Sequence, residues 1–407
     1  MKALTRKILA LVFALVMALS LVSCGGEEAP STQSPDATTA ASPGQSSGTI
    51  KIAMSTALTG ALAESGVSQV NAAQMAINEI NEAGGINGQQ LELVVYDDKS
   101  DVTESTLVAQ RIVQDPDFVC VIAPLTSSAT LATLPIYEAA GLPMMITTAN
   151  SSDIKGDNFI RMVLTSDVQG PQLAACAVNN YDKQKLAIIY PMSDFGTGML
   201  EICSNTLEKL GAEVVMAEPY TAGTDRDFSV HLSKLEKSGA DGVLLLGDYN
   251  ETSMIIAQAD RIESLSDMQY FMDASILSEV FLERVKDISH EENCIVAASY
   301  NPYDDRDIYK EFAQKLQDQF GIATSEPAVF AYDLINILAQ ALEKGATRET
   351  LMETIKGMEF ENMLSASGTI KFNADGNREA LDIAIIGVKD NAFYYTGNSV
   401  DMTGAME

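Results

Sequence analysis

The alternation of short β-rich runs with amphipathic helices predicts an α/β protein built from two doubly wound parallel-sheet domains. Three observations carry this reading. Strand-like runs separated by helix-like ones require crossover connections, which place parallel strands between layers of helix. The alternation restarts after residue 185, so there are two such series. The body that carries them, about 360 residues, is longer than one hydrophobic core usually supports.

The elements follow in order. Thr49 to Met54 is an apolar strand. Ser68 to Asn81 places Val70, Ala73, Ile77 and Ile80 on one helical face. Gly84-Gly85 ends that helix, because glycine takes the left-handed C-cap conformation without penalty. Leu91 to Tyr96 reads as a strand, Glu104 to Val113 as a helix, and Val119 to Ala123 and Pro143 to Thr147 as further strands. The second series runs strand Leu186–Tyr190, helix Thr197–Leu210, strand Glu213–Ala217, helix Phe228–Lys237, strand Gly242–Gly247 and helix Thr252–Ile262. Beyond it, Asp307–Phe320, Ala328–Lys344 and Arg348–Lys356 read as helices. Gly368–Phe372 and Leu381–Val388 read as the two strands of a hairpin, turning at Asn373-Ala374-Asp375-Gly376-Asn377. That hairpin breaks the βα rhythm and has to attach to one of the sheets.

The N-terminus has a different grammar. Lys2, Arg6 and Lys7 precede an apolar run from Ile8 to Val22, and Leu21-Val22-Ser23-Cys24-Gly25 follows. A charged start, a short apolar stretch and small residues at the cut make a secretory signal. The run spans about 15 residues, short of the roughly 20 that a membrane-spanning helix needs. Leu-Val-Ser-Cys resembles a lipobox, which implies cleavage before Cys24 and lipidation of its thiol. Residues 25–48 contain no Leu, Ile, Val, Phe, Tyr or Met. Such a segment cannot bury enough apolar surface to order itself and is expected to be a tether, with a root-mean-square span of roughly 25–30 Å.

Charge and missing chemistry narrow the function. The chain has 26 Lys and Arg against 56 Asp and Glu, a net charge of −30. Removing Lys2, Arg6 and Lys7 leaves 23 bases against 56 acids, about −33. That surface repels phosphate backbones and argues against nucleic acid as a partner. No G-x4-G-K-[ST] phosphate loop occurs, and Phe195-Gly196-Thr197-Gly198 lacks the third glycine of a dinucleotide fingerprint. The two histidines, His231 and His290, have no nucleophile or metal-ligand motif beside them. No enzyme activity, metal or cofactor is expected. Cys120, Cys176, Cys203 and Cys294 have no metal-like spacing and read as buried thiols, with three disulfide pairings formally open.

Two polar loops lie at the carboxyl ends of predicted strands, where open α/β sheets bind ligands. Pro124-Leu125-Thr126-Ser127-Ser128-Ala129-Thr130 opens a helical segment that contains Pro135, a potential kink. Hydroxyl residues there cap the helix, and its free N–H groups suit a small carboxylate. Thr147-Thr148-Ala149-Asn150-Ser151-Ser152 is the second loop.

Ile80-Asn81-Glu82-Ala83-Gly84-Gly85-Ile86-Asn87-Gly88, followed by Leu91 to Asp98, resembles the opening of the branched-chain amino acid-binding proteins of ABC importers. Ile136-Tyr137-Glu138 before Gly141-Leu142-Pro143, Arg161 with Asp167, Gln169-Gly170 and Phe195-Gly196-Thr197-Gly198 continue the resemblance in order, over roughly residues 49 to 398. It implies a type I periplasmic-binding-protein fold with three crossovers between lobes. The implied lobes are residues 49–167 plus 299–366 and residues 168–298 plus 367–400, preceded by a signal (1–23) and a lipidated tether (24–48) and followed by a tail (401–407). It implies ligand capture in the cleft and delivery to a membrane permease with separate ATPase subunits, the membrane being reached only through the lipid. By position, Ser127 and Asn150 match residues that bind the ligand carboxylate, Thr148 and Ala149 the adjoining loop, and Phe195 an aromatic cover. Two positions depart from the family. Ser65 stands where a tyrosine is usual, and Ser275 where the acid that neutralises the ligand ammonium is usual. An amino-acid ligand then needs another carboxylate, Asp248 or Asp273, since a buried unpaired ammonium costs several kcal/mol. Without one, an acid or amide lacking an ammonium group is the alternative ligand, and a ligand-binding sensor subunit the alternative role.

Overall fold

The computed structural model describes residues 48–366, 368–379 and 383–405; the expected signal, the lipidation site Cys24 and the tether lie outside them. Five parallel strands form the first sheet: β1 (Thr49–Thr56), β2 (Gln90–Asp97), β3 (Phe118–Ile122), β4 (Met144–Ile146) and β5 (Phe159–Arg161), in the order β2-β1-β3-β4-β5. Their apolar runs lack alternation because both faces are covered, and Ile52 to Thr56 and Cys120 to Ile122 are fully buried. Helices α1 (Ala63–Glu82), α2 (Val102–Ile112) and α3 (Ser127–Ala139) supply that cover. Helix α3 runs through Pro135 to Ala139. Strand β5 has only three residues, too few to show a period, and sequence reading does not find it.

The second sheet has seven strands: β6 (Lys185–Pro191), β7 (Glu213–Tyr220), β8 (Gly242–Leu245), β9 (Tyr270–Asp273), β10 (Cys294–Ala298), β11 (Ala384–Lys389) and β12 (Ala392–Ser399). The order is β12-β11-β10-β9-β8-β6-β7, parallel from β7 to β10 and antiparallel beyond. Around it lie α4 (Ser166–Ala175), α5 (Asp194–Lys209), α6 (Ser229–Ser238), α7 (Tyr249–Ala259) and α8 (Glu279–Val285). The chain then returns to the first sheet, where α9 (Asp307–Phe320), α10 (Glu326–Glu343) and α11 (Leu351–Lys356) follow. Helix α10 packs along α1 and is buried nearly all round. The Ser68 and Ser325 hydroxyls meet at 2.7 Å, and Glu79 receives both Lys315 Nζ (2.7 Å) and the Tyr332 hydroxyl (2.5 Å).

Three passages join the sheets: between β5 and α4, after β10, and between Arg378 and β11. The third corrects the sequence reading. Of the expected strands Gly368–Phe372 and Leu381–Val388, residues 381 and 382 lie outside the described residues, and the described remainder do not pair with each other. Ile370 bridges Phe360, Phe372 bridges Arg378, and the Asn373–Asn377 turn docks on the edge of the first sheet. There the Arg161 N–H donates to Gly376 O at 2.8 Å, and the Arg378 N–H donates to Arg161 O at 3.0 Å. Gly376 sits at φ +81°, and a Cβ there would fall 2.2 Å from Phe159 O, so glycine permits the docking. Residues 370–378 thus pair with the first sheet and its neighbours. The true hairpin is β11–β12, closed by Asp390 and Asn391 at φ 52° and 57°, the two left-handed positions of a primed turn.

All four described cysteines are buried and free. Burial pushes the Cys120, Cys176 and Cys203 thiols up to about 12, and Cys294 higher still. They pack as small hydrophobes.

Candidate functional site

The carboxyl ends of both sheets face each other across a cavity of about 760 Å³. The loops after β1, β3 and β4 supply one wall, those after β6, β8 and β9 the opposite one, and residues 321–327 close a third side. This is where doubly wound sheets expose their strand ends.

On the first wall, Thr126 caps α3 by accepting the Ala129 N–H at 3.4 Å, which leaves Ser127 as its first helical residue. The Ser127 oxygen accepts the Ser151 N–H at 3.1 Å, so its own hydrogen remains free to donate into the cleft. Thr148 spends its hydroxyl on Leu125 O at 2.8 Å and ties the two loops together. Asn150 donates its amide to Gln169 Oε1 at 2.5 Å. Ala149 does not line the cavity; its methyl packs in the apolar cluster with Tyr137 and Ile154. The role the resemblance implies for Ala149 is a backbone contact, which a buried methyl leaves open. Arg161 is fully buried and holds this wall, donating to Ser151 O and Ile154 O, both at 2.8 Å. Burial lowers its guanidinium to about 10.

On the second wall, Ser193 caps α5 by accepting the Gly196 N–H at 3.2 Å, and Phe195 in the first turn lines the cleft. Ser275 donates to Gly247 O at 3.0 Å, so its hydroxyl is spent on backbone. Asp273, 7% exposed at the end of β9, accepts the Ser275 N–H on Oδ1 at 2.8 Å, while Oδ2 has no partner. Burial pushes its carboxyl above the usual range. Asp248 stands at the N-cap of α7 but makes no side-chain capping bond. Burial first, then Asp273 and Glu251, raise it to about 7.

The walls also touch. Asn250 Nδ2 donates to Ala61 O at 2.7 Å, the Tyr249 hydroxyl to the same oxygen at 3.5 Å, and the Ser278 hydroxyl to Glu64 at 3.3 Å. Ser65 lies in this first turn of α1 and lines the cavity.

The structure thus brings Ser65, Ser127, Thr148, Asn150, Phe195, Asp248, Asp273 and Ser275 to one cleft. It adds Gln169, Tyr249 and Glu326, which sequence reasoning missed. Glu326, 6% exposed, accepts the Ser299 hydroxyl at 2.7 Å, and burial and Asp273 raise it to about 7. In sequence, Ser325-Glu326-Pro327 reads only as an ordinary helix start, with serine at the cap and proline in the first turn. Among the described residues no Lys, Arg or His lines the cleft. His231 contacts Pro219 O, and His290 lies beside Asp267 and Glu292, both away from it.

Two mostly parallel α/β lobes, joined by three passages around a polar cleft, define the type I periplasmic-binding-protein class. Residues 49–392 match the family model described as periplasmic binding protein, and the chain belongs to that family. It is 28% identical over 83% of its length to the leucine-, isoleucine-, valine-, threonine- and alanine-binding protein of Pseudomonas aeruginosa, covering 89% of that relative. It is 32% identical to the Leu/Ile/Val-binding protein of Escherichia coli K12, over 52% of this chain and 58% of that one. Among solved structures, it is similar to the branched-chain amino acid transporter substrate-binding protein LivJ of Streptococcus pneumoniae in complex with isoleucine. That likeness has a TM-score of 0.77 and 24% identity, over 86% of this chain and 99% of the other.

Proposed function

We propose that the chain is the extracytoplasmic solute-binding subunit of an ABC importer, taking a branched-chain or related amino acid into the cleft and passing it unaltered to a membrane permease. The observation that carries this is the pairing of opposites across one cavity. Ser127, with a free hydroxyl hydrogen at the N-terminus of α3, faces the wall on which Asp273 keeps an unpartnered carboxylate oxygen. A zwitterion satisfies both ends: its carboxylate takes the hydroxyl and helix dipole, and its ammonium takes the acid. Asp248 supports the ammonium end, Asn150 and Thr148 shape the carboxylate end, Phe195 covers the ligand, and Ser65 and Ser275 fill places without charge. The relatives named above point to the same class of ligand.

Calorimetry with isoleucine, together with recovery of the ligand, tests the proposal. Isoleucine should bind and be released chemically unchanged, and no measurable binding of any aliphatic amino acid would refute it. Ser127→Ala should weaken binding about ten- to a hundredfold without unfolding the protein, the cost of one hydrogen bond to a charged group. Because the site draws on both lobes, ligand should also favour the closed form. Small-angle scattering should show a smaller radius of gyration with isoleucine; an unchanged radius would place binding on one lobe alone.

The same proposal holds the protein at the outer membrane face by a lipid on Cys24, with the permease and its ATPase as partners. Cys24→Ala should block processing or release the protein from the membrane fraction. Normal incorporation of labelled fatty acid into that variant would refute the anchor.

A further inference from the structure

Five carboxylates line the cleft, those of Glu64, Asp248, Asp273, Glu279 and Glu326, and no basic side chain among the described residues offsets them there. Glu64 is half-buried and accepts the Ser278 hydroxyl from the facing wall. Asp248, Asp273 and Glu326 form a deeper set, coupled through Asp273, which acts electrostatically on both of the others. They come from three places in the chain: the end of β8, the end of β9 and the start of α10.

One ammonium facing Asp248 and Asp273 on the second wall leaves acid in excess, and Glu326 reaches the cavity from a different element, the start of α10. Glu326 then needs a separate account. The counter-charge that acts on it is Arg378, 4% exposed. That guanidinium does not line the cleft and donates Nη2 to Ser299 O at 3.0 Å, while Nε and Nη1 have no partner. It also serves Asp333, whose two oxygens accept the Leu364 and Ser365 N–H groups at 2.9 and 2.8 Å. When both acids are ionised, one arginine between them neutralises at most one, before Asp248 and Asp273 are counted. At pH 8, where Asp248 and Glu326 are ionised, a ligand of zero net charge leaves that excess unmatched in a closed cavity, where an uncompensated charge is costly.

Space points the same way. The cavity of about 760 Å³ lies within the roughly 300–1,000 Å³ range that encloses drug-sized molecules. The wall made by Leu62–Ser68 and residues 321–327 carries the cavity to Glu326.

We infer that the preferred ligand is an amino acid bearing a second cationic group on its side chain, and that Glu326 receives that group. The inference rests on the amino-acid reading of the cleft and, among related amino acids, places one with a basic side chain above the aliphatic ones. Lysine and norleucine provide the test, since norleucine has the lysine side chain without the terminal ammonium. Titrated calorimetrically into the wild-type protein at pH 8, lysine should bind at least about tenfold more tightly than norleucine. Glu326→Gln, which retains an acceptor for the Ser299 hydroxyl, should bring the ratio close to one. Norleucine binding as tightly as lysine to the wild-type protein overturns the inference, whatever the fate of the variant. A tenfold preference that survives Glu326→Gln overturns the assignment to Glu326. Binding of isoleucine or norleucine without lysine sinks only this inference. Silence with isoleucine, norleucine and lysine alike sinks the amino-acid reading beneath it.

Discussion

Asp273→Asn should lower affinity for an amino-acid ligand by about a hundredfold or more while leaving the ligand-free protein as stable as before, or more so. Asparagine keeps an Oδ1 acceptor for the Ser275 N–H, the one bond this side chain makes. What it removes is the charge on Oδ2, which has no protein partner although the side chain is almost wholly buried. In the free protein that charge is a liability, and removing it relieves desolvation and repulsion toward Asp248 and Glu326. In the complex the ligand ammonium loses its counter-ion, and breaking a buried pair from one side costs about 3–5 kcal/mol. Calorimetry and thermal melting on the same variant separate the two effects. Unchanged affinity would shift the ammonium to Asp248. Lost affinity with a much lower melting temperature would make Asp273 a structural residue.

Most of the long periodic segments were legible, whereas α4, which carries Gly170-Pro171, and the elements β9, α8, β10 and β12 were not read. Helix α9 runs Asp307–Phe320, the span its apolar spacing indicates, and α1 runs Ala63–Glu82, beginning before the expected Ser68 and ending just past the expected Asn81. Strand β5, with three residues, and the C-terminal hairpin were not legible. In the hairpin, Asn373–Asn377 is the louder turn signal, yet tertiary pairing to Arg161 claims it for the edge of the first sheet. The quieter Asp390-Asn391 pair makes the tight turn instead. The site divides similarly. Ser127, Asn150 and Asp248 declare themselves as polar residues after strands, whereas Asp273 is reached only as the acid beside Ser275, a position the resemblance singles out. Glu326 does not, because an acid in the first turn of a helix is ordinarily a solvated partner of the dipole. Only the packing of α10 against α1, with Ser68 on Ser325, turns that acid into the cavity.

Affinity for an amino-acid ligand should fall steeply with acidification, about tenfold for each pH unit below 7 for each proton that must leave. The groups responsible are Asp248 and Glu326, both held near 7, and Asp273, raised in the same direction. Burial is the leading cause for all three. Asp248 faces Asp273 and Glu251, the latter paired with Arg226 at 3.2 Å; Glu326 faces Asp273, Arg378 and the Ser299 hydroxyl. Each acid titrates near 4 in the unfolded chain and higher in the folded one. Between those values the native state holds more protons than the unfolded state, so these groups make stability fall as pH rises from about 4 to 7. A bound cation reverses the sign, because it favours the ionised acids and draws their native pKa values down. The ligand-free protein should therefore lose melting temperature between pH 5 and pH 8 on account of this cluster. The rise in melting temperature given by saturating ligand should be larger at pH 8 than at pH 5. Calorimetry in two buffers of different ionisation enthalpy should register proton release on binding at pH 6. Affinity that stays level from pH 5.5 to 8, with no proton released, would mean that the three acids do not meet the ligand's charge.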